Sequence, residues 1–431
     1  MADITSAETA IRETIARKGP ITFRQFMGMA LYSAPGAYYT SGTGQIGLGG
    51  DYFTSPEIHP SFGALVARQL EQVWALMGRP DLFTVVEMGA GSGALARDIL
   101  SYAARWSPDF HTAIRYKILE RSPAFARRQE QSLGKLGSIT ESVTWLVSEA
   151  FAIPPNSIDG CFLSNELPDA FPVHRVTVQD GTLKEIYVTV RDEKLSETQT
   201  DPSTPALDAY FDRLGFLPPE GARVEVNLDA IAWIRDVSGA LRRGAAITID
   251  YGYPARELYS ERHMDGSLLC FYRHTLGDNP FIRVGLQDMT THVDFTSLAL
   301  EGEAAGLQTT GPTTQQAFLS ALGMDRYRAL LPGMGLWAPE YETNQLGIRE
   351  LMDPAGLGRI KVLIQTKGLA GFSLAGLRTE GIRPDDLGRD TTPEPPPLLT
   401  RAHMRLNTPA NEASLIDAQS MWDQLMGDDE E

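Results

Sequence analysis

Cysteine is nearly absent: Cys161 and Cys270 are the only two in 431 residues, far apart and each in apolar surroundings. Thiols so placed form neither a disulfide framework nor a metal-ligand pattern, and they suit a reducing compartment. No uninterrupted apolar run approaches the ~18 residues that a spanning helix needs, so membrane insertion is not expected. Basic residues are outnumbered: 38 Lys and Arg stand against 55 Asp and Glu, a formal net charge of −17. That field disfavours nucleic acid or an anionic membrane surface and suits a basic protein segment or a cationic side chain. Histidine is scarce too, seven in all, with no metal spacing among them, so no metal is expected. Asp3, Glu8 and Glu13 make the first residues unlike a secretion signal or an acid-poor presequence, and a cytoplasmic location is predicted.

What the chain does contain is organised around Thr84-Val85-Val86-Glu87-Met88-Gly89-Ala90-Gly91-Ser92-Gly93. A β-branched run ends in three glycines spaced two apart, and Leu95, Ile99 and Tyr102 then fall on one face of a helical pattern. This spacing predicts a buried strand, a tight turn and a helix whose N-terminal N–H groups face a ligand. Gly89-x-Gly91-x-x-Ala94 also meets the looser dinucleotide pattern, so a nicotinamide cofactor stays open at this point, as does a turn with no ligand. The acid two residues before the first glycine and the Gly-x-Gly-x-Gly spacing together resemble the first motif of class I S-adenosylmethionine (SAM) methyltransferases.

Before this stretch, residues 4–18 read as an amphipathic helix bearing Ile4, Ile11 and Ile15, and a second helix runs from Thr22 through Leu31. Gly42 to Gly50 holds five glycines in nine residues and predicts a loop able to close over a ligand. Ser55-Pro56-Glu57 signals a helix start, followed by an apolar stripe from Phe62 to Met77. After the glycine turn, Ile114–Leu119 is a second strand ending in Glu120, with Ser107–Thr112 as an inserted loop. Glu120 is placed to take both ribose hydroxyls of an adenosine.

Val143–Val147 and Ser157–Ser164 are further strands, the latter delivering Asn165, Glu166 and Asp169 to the carboxyl edge where open α/β sheets bind ligands. Asp180-Gly181 marks a hairpin, followed by a polar stretch 191–205 and a helix near 206–214. Ala245–Ile249 is a fifth strand, residues 255–294 read as irregular, and Arg359–Gln365 is a late strand. From about 370 the texture turns to Pro393-Glu394-Pro395-Pro396-Pro397 and an acidic end, read as a solvated tail with one amphipathic stretch around Leu415 and Trp422.

Several separate segments resemble the MidA-like methyltransferases, relatives of a mitochondrial complex I assembly factor. They are Gly19-Pro20-Ile21-Thr22-Phe23, Gly36-Ala37-Tyr38-Tyr39, Gly50-Asp51-Tyr52-Phe53-Thr54-Ser55-Pro56-Glu57, the glycine motif, Ser164-Asn165-Glu166 with Asp169-Ala170, Asp250-Tyr251-Gly252, and Thr291-His292-Val293-Asp294-Phe295. The resemblance covers roughly residues 8–368. Ala90 departs from the family's usual proline, and Leu167-Pro168 from its usual aromatic pair. It implies an α/β protein: a class I (Rossmann-like) SAM methyltransferase sheet with an N-terminal helical extension and inserted substrate-side elements. The expected divisions are an N-terminal helical or lid region 1–80, a methyltransferase domain 81–368 with insertions near 172–225 and 255–294, and a disordered tail 369–431.

The resemblance further implies symmetric dimethylation of an arginine on a quinone-proximal subunit of NADH:quinone oxidoreductase, respiratory complex I. SAM would be held by Phe53, Thr54, Ser55, Pro56, Glu87, Gly89, Gly91, Gly93, Glu120, Asn165 and Glu166. A guanidinium, with a pKa above ~12, must be held by carboxylates before its nitrogen can attack. Glu166 and Asp169 are the first candidates for that task, with Asp250, His292 and Asp294 behind them. A nicotinamide-dependent oxidoreductase, a non-catalytic assembly chaperone and a small-molecule methyltransferase are the alternatives.

Overall fold

The run Phe83–Met88 becomes an interior strand of a seven-stranded sheet, because Phe83, Val85 and Val86 bury side chains on both of its faces. A computed structural model describes residues 4–41, 54–148, 151–273, 275–369, 371, 373–391 and 394–399. Two units are built from interleaved segments: Met1–Gly44, Glu166–Asp236 and Asp250–Ala305 form one, and Gln45–Asn165, Val237–Ile249 and Gly306–Glu431 the other. The residues expected as a single N-terminal region 1–80 are thus divided between the two, after Gly44.

The second of these carries the sheet, whose strands are β1 (Phe83–Met88), β2 (Ile114–Glu120), β3 (Val143–Val147), β4 (Ile158–Asn165), β5 (Leu241–Asp250), β6 (Gln308–Thr314) and β7 (Lys361–Lys367). Their order is β3-β2-β1-β4-β5-β7-β6. The neighbours from β3 to β5 pair in parallel, and β6 pairs antiparallel with β7. This is the Rossmann-like arrangement, and its strand order reverses between β1 and β4, which makes their carboxyl ends the ligand-binding crevice. β6 has no apolar alternation and escaped the sequence reading: most of its residues are exposed.

Ser107–Thr112 is not a loop. Pro108 opens a short helix, Pro108–Ala113, in the N1 position that proline favours. The helix Ser61–Leu76 departs from a one-sided stripe. It is buried along nearly its whole length, its polar residues Arg68, Gln69, Glu71 and Gln72 included. The reason lies beyond residue 369, where a solvated tail was expected. Residues 375–377 and 384–387 are helical turns, and Glu394 and Leu399 are buried. Leu415 and Trp422 lie outside the described residues.

The other unit is built on an antiparallel sheet in the order Ile21–Thr22, Thr182–Arg191, His174–Gln179, Arg223–Val226, with Lys194–Thr200 also paired to Thr182–Arg191. Asp180 and Gly181 both take positive φ, the type I′ geometry that closes the hairpin. The strand Lys194–Thr200 falls within the polar stretch 191–205, hidden from periodicity because Leu195 is its one buried residue. Alternation along the strands sends Val176, Val178, Leu183 and Val224 into a core with Leu207 and Phe211. Val188 faces a different core formed with the helices Ser6–Lys18 and Phe23–Gly28. Ile4 precedes that first helix and is exposed. Residues 255–294 are not irregular: they hold a three-stranded sheet of Thr275–Gly277, Leu269–Tyr272 and Asp288–Thr290.

Candidate active site

At the end of β1 the chain turns through Gly89, Gly91 and Gly93 at φ of 69°, 54° and 83°. These left-handed conformations explain the glycines at all three positions. Gly93 caps the helix Ala94–Trp106, and Arg97 N–H closes its first turn on the Gly93 carbonyl at 3.0 Å. The turn therefore leads straight into a helix N-terminus.

Three buried carboxylates surround it. Glu87 accepts from the Tyr116 hydroxyl at 2.8 Å, and burial, with Glu57 and Glu120 adding their charge, pushes its pKa up to about 7. Glu120, the last residue of β2, accepts from Ser122 N–H at 2.8 Å on one oxygen and from Gln129 Nε2 at 2.9 Å on the other. Burial raises its pKa despite those bonds. Gln129 Nε2 also donates to the Gly91 carbonyl at 3.0 Å, and its Oε1 accepts from Trp145 Nε1 at 3.1 Å. One amide thus joins Glu120, the glycine turn and β3.

Glu57 closes a capping box with Thr54 and accepts from the Ser92 hydroxyl at 2.8 Å. The spacing of that box, Thr-x-x-Glu, is readable in sequence, but its second bond to the glycine turn is not. The Thr54–Glu57 segment is thereby anchored to the turn. Within it, the Ser55 hydroxyl donates to Gln315 at 2.9 Å and Pro56 is buried. Phe53 lies outside the described residues, as does the loop from Gly42 to Gly50. Asn165 ends β4 in register with Ile249 of β5.

The donor set fits SAM. A positive-φ glycine turn admits close backbone approach, and Glu120 offers two oriented oxygens at the carboxyl end of β2. Glu87 and Glu57 add buried negative charge suited to a cofactor that carries a sulfonium and an ammonium.

A second acidic group belongs to the other unit. Glu166 sits at φ 50°, a left-handed conformation costing a non-glycine residue roughly 1–2 kcal/mol and characteristic of functional sites. Asp169 lies in the turn Pro168–Ala170, and its N–H donates to Asp250 Oδ2 at 3.2 Å. Asp250 also accepts from Tyr251 N–H at 2.7 Å. Burial raises the pKa of both aspartates. The Asp288 charge adds to the shift at Asp169, and the charges of Asp169 and Glu166 add to that at Asp250. Asp288 accepts from the Tyr39 hydroxyl at 2.9 Å, and Tyr39 stacks on Tyr32 with ring centres 5.3 Å apart. Tyr32 in turn donates to the Ala170 carbonyl at 2.8 Å. The result is a buried, mutually repelling set of acids walled by aromatic rings. Sequence reading had missed Asp288, which no spacing tied to Asp169.

The segments Asp250-Tyr251-Gly252 and Thr291–Phe295 meet as paired strands, Gly252 opposite Val293. A Cβ at Gly252 would stand 2.1 Å from the Val293 carbonyl oxygen, so only glycine permits the approach. This pairing brings Thr291 N–H onto the Asp169 carbonyl at 2.9 Å. Asp294, however, is not among the clustered acids. One of its oxygens caps Thr296 and Ser297 N–H at the helix Phe295–Ala304, and the other accepts from Tyr210 and Ser297 hydroxyls at 2.6 Å each. Those bonds make it a helix cap, apart from the group in which a catalytic role was expected of it. His292 donates its N–H to Ser267 Oγ at 3.0 Å and packs edge-on against Tyr253. Among the described residues no group of three or more metal-ligating side chains occurs, and no helix is long and apolar enough to cross a membrane.

A family model described as "Putative S-adenosyl-L-methionine-dependent methyltransferase" matches residues 65–313. The protein arginine methyltransferase NDUFAF7 of Mus musculus is 29% identical over 376 residues, 80% of each chain. The NDUFAF7 homolog of Drosophila melanogaster is 28% identical over 393 residues, covering 84% of this chain and 85% of its own. The crystal structure of a COG1565 superfamily member from Burkholderia thailandensis, bound to S-adenosyl-homocysteine, superposes with a TM-score of 0.77 at 31% identity, over 86% of this chain and 94% of that one.

Proposed function

The chain belongs to this family of S-adenosyl-L-methionine-dependent methyltransferases, and we propose that its methyl acceptor is an arginine side chain of a protein. The observation that carries the reading is the acidic set of Asp169, Asp250, Asp288 and Glu166, gathered by the Asp169–Asp250 hydrogen bond, in which Asp169 and Asp250 are each destabilised by neighbouring negative charge. A guanidinium entering such a set relieves the repulsion and presents five donors in a planar fork suited to carboxylates. The stacked pair Tyr32 and Tyr39 offers a ring face for the same cation. The printed names of the relatives, protein arginine methyltransferases, support it.

When bound, the cofactor supplies an electrophilic methyl group on a positively charged sulfur. The chain's own part is to hold both reactants and take up a proton. Glu120 is oriented by Ser122 and Gln129 to receive ribose hydroxyls, and the glycine turn receives the cofactor's backbone-facing edge. The carboxylates orient the guanidinium, excluding water that would otherwise randomise its approach. Glu166, the less buried of the acids, accepts the proton that the nitrogen loses on methylation. Symmetric dimethylation, and a quinone-proximal subunit of NADH:quinone oxidoreductase as the client, complete the proposal on the strength of the family resemblance.

The test is to incubate the purified chain with methyl-labelled SAM and solubilised NADH:quinone oxidoreductase lacking the modification, then hydrolyse the protein and separate the methylated amino acids. Symmetric dimethylarginine is the expected product. Label on lysine, or in small molecules alone, would overturn the arginine reading.

A further inference from the structure

The helix Ser61–Leu76 buries Arg68, Gln69, Glu71 and Gln72, and residues 373–391 and 394–399 supply partners to all four, beside the Leu322 carbonyl and Tyr327 hydroxyl on Arg68 and the Ser107 hydroxyl on Glu71. Gln69 accepts the Gly376 N–H at 2.9 Å and Gln72 accepts the Ala375 N–H at 2.7 Å. Farther along, Arg68 donates to Glu394 at 2.7 Å, with both side chains about 1% exposed. Arg389 clasps Glu71 through two nitrogens at 2.7 Å each and also bonds Glu394. Two cations and two anions thus close on one another, so the burial cost of each is offset within the quartet.

This quartet sits between two helices. Tyr102, on the helix Ala94–Trp106, donates to Glu394 at 2.8 Å and accepts from Arg68 at 3.0 Å. Gly63 is pressed against Asp98 so closely that a Cβ would lie 2.5 Å from the aspartate's own. Both helices lead to the cofactor turn. Ala94–Trp106 starts at Gly93, and Ser61–Leu76 follows the short helix whose Glu57 holds Ser92. The far end of the segment reaches the same place by another route. Leu399 N–H donates to Asn344 Oδ1 at 2.7 Å, and that oxygen lies 2.9 Å from His59 Nε2, two residues after Glu57.

We infer that residues 373–391 and 394–399 form a positioning strap for the cofactor turn, gripping through Glu394 and Leu399 the two elements that shape it, without touching the cofactor. Removing the grip leaves every cofactor-facing group in the chain yet lets Ser92 and Gly93 drift. The consequence is weaker cofactor binding with little change in turnover once the cofactor saturates.

Coupling between strap and turn must be reciprocal, which allows a test on the unaltered chain. Hydrogen exchange with and without S-adenosyl-homocysteine is expected to slow about fivefold or more at the amides of Ala375, Gly376 and Leu399, beyond any slowing at the edge strand β6. Equal slowing in both places overturns the inference. In the full-length Glu394→Gln variant, the Kd for S-adenosyl-homocysteine and the KM for SAM should rise about tenfold, while kcat stays within about two-fold. A variant that loses thermal stability but keeps its Kd would show a strap that is merely structural, and would also overturn it. If that variant fails to fold, the exchange experiment decides alone.

Discussion

Glu57, Glu87 and Glu120 in one unit, and Asp169, Asp250 and Asp288 in the other, are all buried acids, yet their surroundings differ in degree. The three glutamates are each fastened by neutral donors: hydroxyls of Ser92 and Tyr116, the Ser122 N–H and the Gln129 amide. The aspartates take neutral donors too, the Tyr251 N–H on Asp250 and the Tyr39 hydroxyl on Asp288, but Asp169 also donates its own N–H to Asp250. Neighbouring negative charge stands second only to burial in raising Asp169 and Asp250, whereas at Glu87 it ranks behind the Tyr116 bond. A fastened acid is a pre-oriented hydrogen-bond acceptor, ready for a hydroxyl or ammonium of fixed geometry. A crowded set of acids is a receptor for a strong, permanent cation. The first arrangement suits a cofactor that every turnover uses, and the second an arginine that must be seized and stripped of a proton.

That distinction breaks most visibly at Asp250. Asp250→Asn keeps the shape but removes one charge from the crowd. Methyl transfer to an arginine substrate should fall about 1,000-fold, while S-adenosyl-homocysteine affinity, followed by calorimetry, holds. Loss of both together would merge the two acid sets into one.

Glu87 yields the next largest effect, in stability. Folded, its pKa is pushed up to about 7 from an ordinary 4.5, so between those values the folded chain holds a proton that the unfolded chain has lost. Its contribution is therefore complete below the unfolded value and disappears as pH rises through about 7, a loss of about 3 kcal/mol. Urea unfolding of the cofactor-free chain at a series of pH values should show this decline, and Glu87→Gln should flatten it.

Glu120→Gln tests the fastened set directly. Replacing the charged acceptor should weaken S-adenosyl-homocysteine about tenfold or more and leave transfer at saturating cofactor nearly intact. The smallest effect is expected at Asp294. Its oxygens are spent on a helix N-terminus and a tyrosine, so Asp294→Ala should cost about 1–2 kcal/mol of stability and leave cofactor affinity unchanged. A collapse of transfer in a well-folded Asp294→Ala protein would return that residue to the catalytic group.

The cofactor side was largely legible because its chemistry is local. Strand β1, the glycine turn and the helix after it lie within one short run, and positive φ at Gly89, Gly91 and Gly93 is a backbone demand that only glycine meets easily. Glu120 was legible for a related reason, since the end of a parallel strand is a fixed address in such a sheet. The acceptor side was legible only in part. Glu166, Asp169 and Asp250 follow strand ends, but Asp288 joins them across a long sequence separation. Asp294 shared a motif with the right neighbours and turned out to be a cap. No periodicity distinguishes an acid that caps from one that binds.

The sequence alone determined the class of fold, because strand periodicity and glycine backbone freedom are properties of adjacent residues, and the cofactor, through motifs each contained in a short run. Tertiary structure alone decided which acids gather, that Gln129 ties Glu120 to the glycine turn, and that Glu394 and Leu399 are buried rather than solvated. Each of these depends on charges and hydrogen bonds between distant residues. Arg68 and Glu394 lie 326 positions apart, beyond the reach of any periodicity, and only their shared burial makes the pairing necessary.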